Sequence, residues 1–150
     1  MTIDVEVLKD IRNETGLPVS TIRKALEQAE GDRAKALEIL SSTGAKMAEK
    51  KAERETHEGV VAQYVHSNKK IGVLVKLLCE TDFVARNPEF QVIANEIAMH
   101  VAAMKPMSVE ECLSQPTIHD SSVTVEQRIQ AGIAKLGENI KLEEIVRVQI

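Results

Sequence analysis

Aromatic residues are nearly absent from this chain: of 150 residues none is tryptophan, one is tyrosine and two are phenylalanine. Tyr64, Phe83 and Phe90 are too few for a base-stacking platform. Basic charge is in deficit as well. Nineteen Lys and Arg against 23 Asp and Glu give a net charge of -4, so no global field attracts phosphate backbones. Direct nucleic-acid binding is not expected. Cysteine is scarce: Cys79 and Cys112 lie far apart, with no CxxC and no His at ligand spacing, which favours reduced thiols over a disulfide scaffold or a zinc site. No apolar run reaches bilayer length, and MTIDVEVLKD has neither the basic start nor the apolar core of a signal peptide. A cytosolic location away from membranes is expected. Glycine-rich phosphate loops are lacking, since Gly72 and Gly137 stand alone, and His57, His66, His100 and His119 show no HExxH spacing. Neither an enzyme nor a resident cofactor or metal is expected.

What is present is periodic and punctuated. Val5, Leu8 and Ile11 recur at helical spacing until Gly16, and Val19, Ile22, Ala25, Leu26 and Ala29 until Gly31. Ala36, Leu37 and Leu40 follow the capping residue Asp32 and run until Gly44, which predicts three short helices, each stopped by a glycine. AKMAEKKAERETHE, residues 45–58, is rich in charge and poor in apolar stripe, the signature of an exposed helical connector and a domain boundary. Beyond Gly59 the runs VVAQYVH and IGVLVKLLC, separated by Ser67 to Lys70, predict an antiparallel hairpin. The second run is apolar at nearly every position, so both faces of that strand are expected to be covered. Asn87 and Pro88 open a helix carrying Phe90, Ile93, Ile97 and Val101 that ends at Lys105 and Pro106. Ser108 with Glu111 and Thr124 with Gln127 have capping-box spacing, which predicts a short helix near Cys112 and a longer one through Leu136 stopped by Gly137. Ile140, Leu142, Val146, Val148 and Ile150 predict a returning strand. The fold class is α+β: a three-helix domain over 1–44, a charged connector over 45–58, and an α+β core over 59–150.

The stretch CETDFVARN, Cys79 to Asn87, joins the apolar strand to the helix at Pro88. It places Phe83 between Asp82 and Val84 in a connection that should face water. Such a ring either anchors the loop in its own core or serves as a wedge for another molecule. Cys79 closes an apolar strand and reads as a small buried hydrophobe, and Glu80 with Asp82 as ordinary strand-end acids. The residues alone leave a two-part, protein-binding chain.

CETDFVARN resembles the signature of bacterial elongation factor Ts, the family that releases GDP from elongation factor Tu. LKDIRNETG followed by KALEQAEGDRAKALEIL is similar to that family's ubiquitin-associated-like three-helix domain. YVHSNKKIGVLV is similar to its core hairpin, and IAMHVAAMKP and KLGENI to further family segments. The resemblance implies a guanine-nucleotide exchange factor whose partner is elongation factor Tu, both GDP-bound and nucleotide-free. It implies that Thr81, Asp82, Phe83 and Val84 insert into the partner's G domain, Asp82 and Phe83 disturbing the bound Mg²⁺ and Thr81 and Val84 shaping the tip. Arg12, His66, Leu136 and Gly137 match family positions near the partner.

Two departures stand out. The family's TGAGMMDCKKAL is TGLPVSTIRKAL here, so Val19 and Ser20 replace a methionine pair at the partner-facing position, with less adaptable apolar contact. Only one sheet unit is visible, and short members of the family work as homodimers; the resemblance therefore implies a symmetric dimer joining the core domains through their sheets. Two other readings stay open at this stage: a ubiquitin-associated-type binding module, resting on Thr15, Gly16 and Leu17, and a paralogue that binds elongation factor Tu without speeding exchange.

Overall fold

Capping chemistry sets most element boundaries in the structure, a computed structural model that describes residues 2–150. Helix α1 (Val5–Thr15) starts where the Asp4 carboxylate accepts the Glu6 N–H and stops where Gly16 turns left-handed at φ 65°. Pro18 opens α2 (Val19–Gln28), and the Asp32 carboxylate caps α3 (Arg33–Lys51) by accepting from Lys35. Ile11, Ile22, Leu26, Ala36 and Leu40 bury the shared face of these three helices in a first apolar cluster.

Contrary to the sequence expectation, Gly44 does not end α3. It lies within the helix, buried, and a β-carbon built there would sit 3.6 Å from Cβ of Ala134. A glycine offers left-handed freedom to a helix end, but it equally offers close approach to a neighbouring helix, and here the second use prevails. The stretch expected as an exposed connector is in consequence partly docked. Ala48 packs on the second cluster described below, and Lys51 Nζ donates to the Gly137 carbonyl at 2.5 Å.

That second cluster lies under a three-stranded antiparallel sheet ordered β1-β2-β3. Strands β1 (Glu58–Val65) and β2 (Ile71–Cys79) form the expected hairpin, and β3 (Lys141–Gln149) returns beside β2. Apart from a four-residue helical turn, α4 (Asp82–Ala85), in the stretch expected as a connection, the helices follow as read: α5 (Pro88–Met104) capped by Asn87, α6 (Val109–Ser114) capped by Ser108, and α7 (Val125–Leu136) with a full Thr124/Gln127 capping box. At α6 the Glu111 carboxylate reaches past Ser108 to accept from the Met107 N–H, so the second half of that box is displaced by one residue. Val73, Val75 and Leu77 on the inner face of β2 meet Phe90, Ile93 and Ile97 of α5. A register shift at Lys76/Leu77 lets Leu142 and Ile145, three residues apart, both turn inward.

The outer face of the sheet is bare, which corrects the expectation that both faces of β2 are covered. Val61, Leu74 and Val148 are 65%, 49% and 65% exposed, with Val65 and Val146 also open to water. An unbroken apolar run does not distinguish a strand enclosed by its own chain from one whose second face awaits another surface. No helix of the described residues is long and apolar enough to cross a membrane.

Candidate functional site

Between β2 and α5 the chain does not form a loop but a single helical turn, α4 (Asp82–Ala85). A four-residue helix has no stability of its own, so its form must come from what holds its ends. Thr81 is the N-cap: its Oγ1 accepts from the Val84 N–H at 3.4 Å and donates to Glu138 Oε2 at 2.7 Å. The Thr81 carbonyl accepts from Ala85 N–H and from the Cys79 thiol. Ala85 is buried at the C-terminal side of the turn. The ring of Phe83 projects outward and is 83% exposed. The alternative of Phe83 as an anchor in its own core is thereby excluded; the core takes Phe90, fully buried, instead.

The neighbours of Phe83 are arranged around this tip. Asp82 is half exposed and pairs with Arg86 one turn on, at 2.6 Å. Val84 is partly buried against the core. Glu80 and Asp82 do not form a carboxylate pair: Glu80 Oε1 accepts from the Asn139 N–H at 2.9 Å and faces Arg54 at 3.6 Å. Cys79 is buried, and its thiol is pushed up to about 11 by burial first and then by the negative charge of Glu138. It is a protonated core residue at neutral pH, as the sequence suggested.

The remaining candidates fall in three places. Leu136 packs partly on the core and Gly137 closes α7 in the left-handed conformation at φ 78°. The residues that follow Gly137 are joined by hydrogen bonds to Glu80 and Thr81, so this segment and the α4 turn form one unit. Arg12, Val19 and Ser20 are all exposed at the corner between α1 and α2, a separate surface whose Gly16 lies against the Lys135 side chain of α7. His66 sits at the turn end of the hairpin, where its Nδ1 is 2.9 Å from the Tyr64 hydroxyl. Cys79, at the base next to α4, is seven strand residues from Gly72 at that turn, or roughly 23 Å at about 3.3 Å per residue. The structure thus groups Thr81–Val84 with Leu136 and Gly137, and leaves His66 apart.

Sequence reading gave no role to Glu138 or Asn139 and took Glu80 as an ordinary strand-end acid. Glu138 accepts from the N–H groups of Glu80 and Thr81 at 3.2 and 3.0 Å, while Asn139, buried, donates through Nδ2 to the Arg54 carbonyl at 2.9 Å. Their one signal was an Asn and a Glu placed immediately after a helix stop, where the chain re-enters the core.

The family described as Elongation factor TS matches residues 80–150, which include the α4 turn and the Glu138–Asn139 segment bonded to it. A protein named Elongation factor Ts from Thermosipho melanesiensis is 40% identical over 193 residues, covering 99% of this chain and 98% of the relative. Its counterpart from Fervidobacterium nodosum is 38% identical over 195 residues, covering 100% and 99%, and that from Rubrobacter xylanophilus 33% identical over 195, covering both in full. Since 193 aligned positions face a chain of 150 residues, at least 43 positions of the first relative have no counterpart here.

Proposed function

This chain belongs to the elongation factor Ts family, and we propose that it is a guanine-nucleotide exchange factor that releases GDP from elongation factor Tu during translation elongation. The observation that carries the mechanism is the exposed ring of Phe83 on a turn whose two ends are held by hydrogen bonds. In this reading Phe83 enters an apolar gap in the partner's G domain, with Asp82 beside it and Thr81 and Val84 setting the angle of approach. GDP is held through Mg²⁺ and the phosphate-binding backbone. Displacing the side chains that support them weakens nucleotide affinity with no bond made or broken. Because the coupling is reciprocal, GDP weakens binding of the factor by the same ratio, so the factor leaves when nucleotide returns.

Residues 1–44 serve in this reading as a ubiquitin-associated-like domain whose Arg12, Val19 and Ser20 make a second contact with elongation factor Tu, and 59–150 as the core. Residues 45–58 join the two, their helical half resting on α7. Val19 and Ser20 contribute less than the family's methionine pair, which leaves more of the affinity to the core. His66 and the Leu136–Gly137 segment lie on other parts of the same contact. The bare outer face of the sheet supports the homodimer: paired face to face across a two-fold axis, two copies remove Val61, Leu74, Val146 and Val148 from water. Action is in the cytosol, with no nucleic acid or membrane contacted directly.

The test is release of a fluorescent GDP from elongation factor Tu in the presence of excess unlabelled GDP. Acceleration proportional to factor concentration, at catalytic amounts, is expected; binding without acceleration contradicts the reading.

A further inference from the structure

We infer that Glu138 is the positioning residue of the exchange wedge, holding the α4 turn in its inserting shape before the partner arrives; the inference rests on the reading of Phe83 as the inserted group. One carboxylate takes three donors from two consecutive residues: the Glu80 N–H at 3.2 Å, the Thr81 N–H at 3.0 Å and the Thr81 hydroxyl at 2.7 Å. The last of these decides the geometry of the turn. A threonine hydroxyl has one proton, and by taking it Glu138 leaves the oxygen's lone pairs to receive the Val84 N–H, the bond that caps α4. Without that acceptor the hydroxyl is free to rotate and donate elsewhere, and the cap bond competes with water.

The brace is reciprocal. While Glu138 holds the backbone of Glu80 and Thr81, the Glu80 carboxylate holds the backbone N–H of Asn139. Each segment therefore fixes the other's main chain. Asn139 extends the tie to the Arg54 carbonyl, and Lys51 extends it to the Gly137 carbonyl. The end of α3 is thereby fastened to the same turn that fastens the wedge. Two residues beyond Thr81 stands Phe83, whose own side chain makes little contact within the chain. A ring with so few contacts keeps a fixed direction only if its backbone is held, and a held backbone spares association the cost of ordering it.

The experiment uses the full-length chain and measures the saturating rate of GDP release and the half-saturating factor concentration. Glu138→Ala is expected to lower the saturating rate about tenfold while the half-saturating concentration stays within about twofold, because the wedge is mis-aimed while the other contacts remain. Glu138→Gln keeps an oxygen for both N–H groups but faces the Thr81 hydroxyl with an NH2 donor, so it is expected to restore the rate only in part, to between those of Glu138→Ala and the parent. The decisive comparison is the double variant Glu138→Ala with Phe83→Ala. If Glu138 acts through Phe83, the double variant is no slower than Phe83→Ala alone. Should Glu138→Ala fail to fold, Thr81→Val removes only the bridging hydroxyl and enters the same cycle with the same expectation. Losses that multiply in the double variant overturn the inference, as does Glu138→Ala at the wild-type rate while Phe83→Ala is slow. If Phe83→Ala itself releases GDP at the wild-type rate, the wedge reading falls first and the inference with it.

Discussion

Phe83 and Phe90 are seven residues apart and have opposite fates, one in water and one with no exposed surface. A phenylalanine this exposed forgoes roughly 1.5–3 kcal/mol of burial, a cost to the free chain that insertion into a partner, as proposed, would recover. Phe83→Ala is expected to leave the unfolding free energy within about 0.5 kcal/mol of the parent. Phe90→Ala is expected to cost about 3–5 kcal/mol, and urea unfolding of the two variants checks both values. The two cysteines carry a second expectation at this scale. Burial pushes the thiols of Cys79 and Cys112 up to about 11 from an ordinary value of 9.0, so the folded chain holds these protons more tightly than the unfolded chain does. Their contribution to stability is therefore complete below pH 9 and is lost as pH rises through 9 to about 11. Urea midpoints should fall across that window, and replacing both thiols by alanine should flatten the fall; an unchanged slope contradicts the assignment. The exposure of Phe83 was posed by the sequence as one of two alternatives, because a ring in a polar connection is compatible with either fate. The role of Glu138 was not legible beyond its place after a helix stop, since it depends on two segments 57 residues apart meeting in space.

Among the elements, caps and apolar periods gave the helices and strands close to their observed bounds, and the errors share one cause. Whether Gly44 ends or continues α3, and whether β2 has one covered face or two, depends on what packs alongside, and a single-chain pattern does not state that. The glycines turn this into a test of sign. A β-carbon at Gly44 meets Ala134 Cβ and the Gln130 carbonyl only at 3.6 and 3.7 Å, ordinary contact distances inside a helix. Gly44→Ala is expected to stabilise the fold by about 0.5–1 kcal/mol, whereas a left-handed helix stop at this position would make the same change destabilising. At Gly59 a β-carbon falls 2.2 Å from the Leu77 carbonyl oxygen and 2.8 Å from the Leu78 Cα, both main-chain atoms of the paired strand. Gly59→Ala is expected to cost about 2–3 kcal/mol by forcing β1 and β2 apart, measured by the same urea titrations.

For the molecule as a whole, two features need an explanation that one chain alone does not provide: an aromatic ring held out on a braced turn, and an apolar sheet face with no cover. The second is the basis for the proposed dimer. Stable interfaces bury about 1,200–2,000 Å² in total, and a three-stranded face carrying five exposed valine and leucine side chains supplies the apolar centre of such a contact. Light scattering is expected to give twice the mass of the chain, and Leu74→Glu, at the middle of the bare face, to give the single mass with helix content unchanged. A wild-type chain that stays single at micromolar concentration contradicts the dimer. The family and the order of its segments were legible in the sequence because CETDFVARN and four further stretches carry them; the pairing of surfaces was not, because exposure is a property of the folded chain. The ring is the more direct test. Release of fluorescent GDP from elongation factor Tu should be accelerated by this protein at catalytic amounts, and Phe83→Ala should lose roughly 30-fold of that acceleration, the weight of an aromatic anchor of about 2 kcal/mol. Equal acceleration by the two proteins would contradict the wedge at the centre of this account.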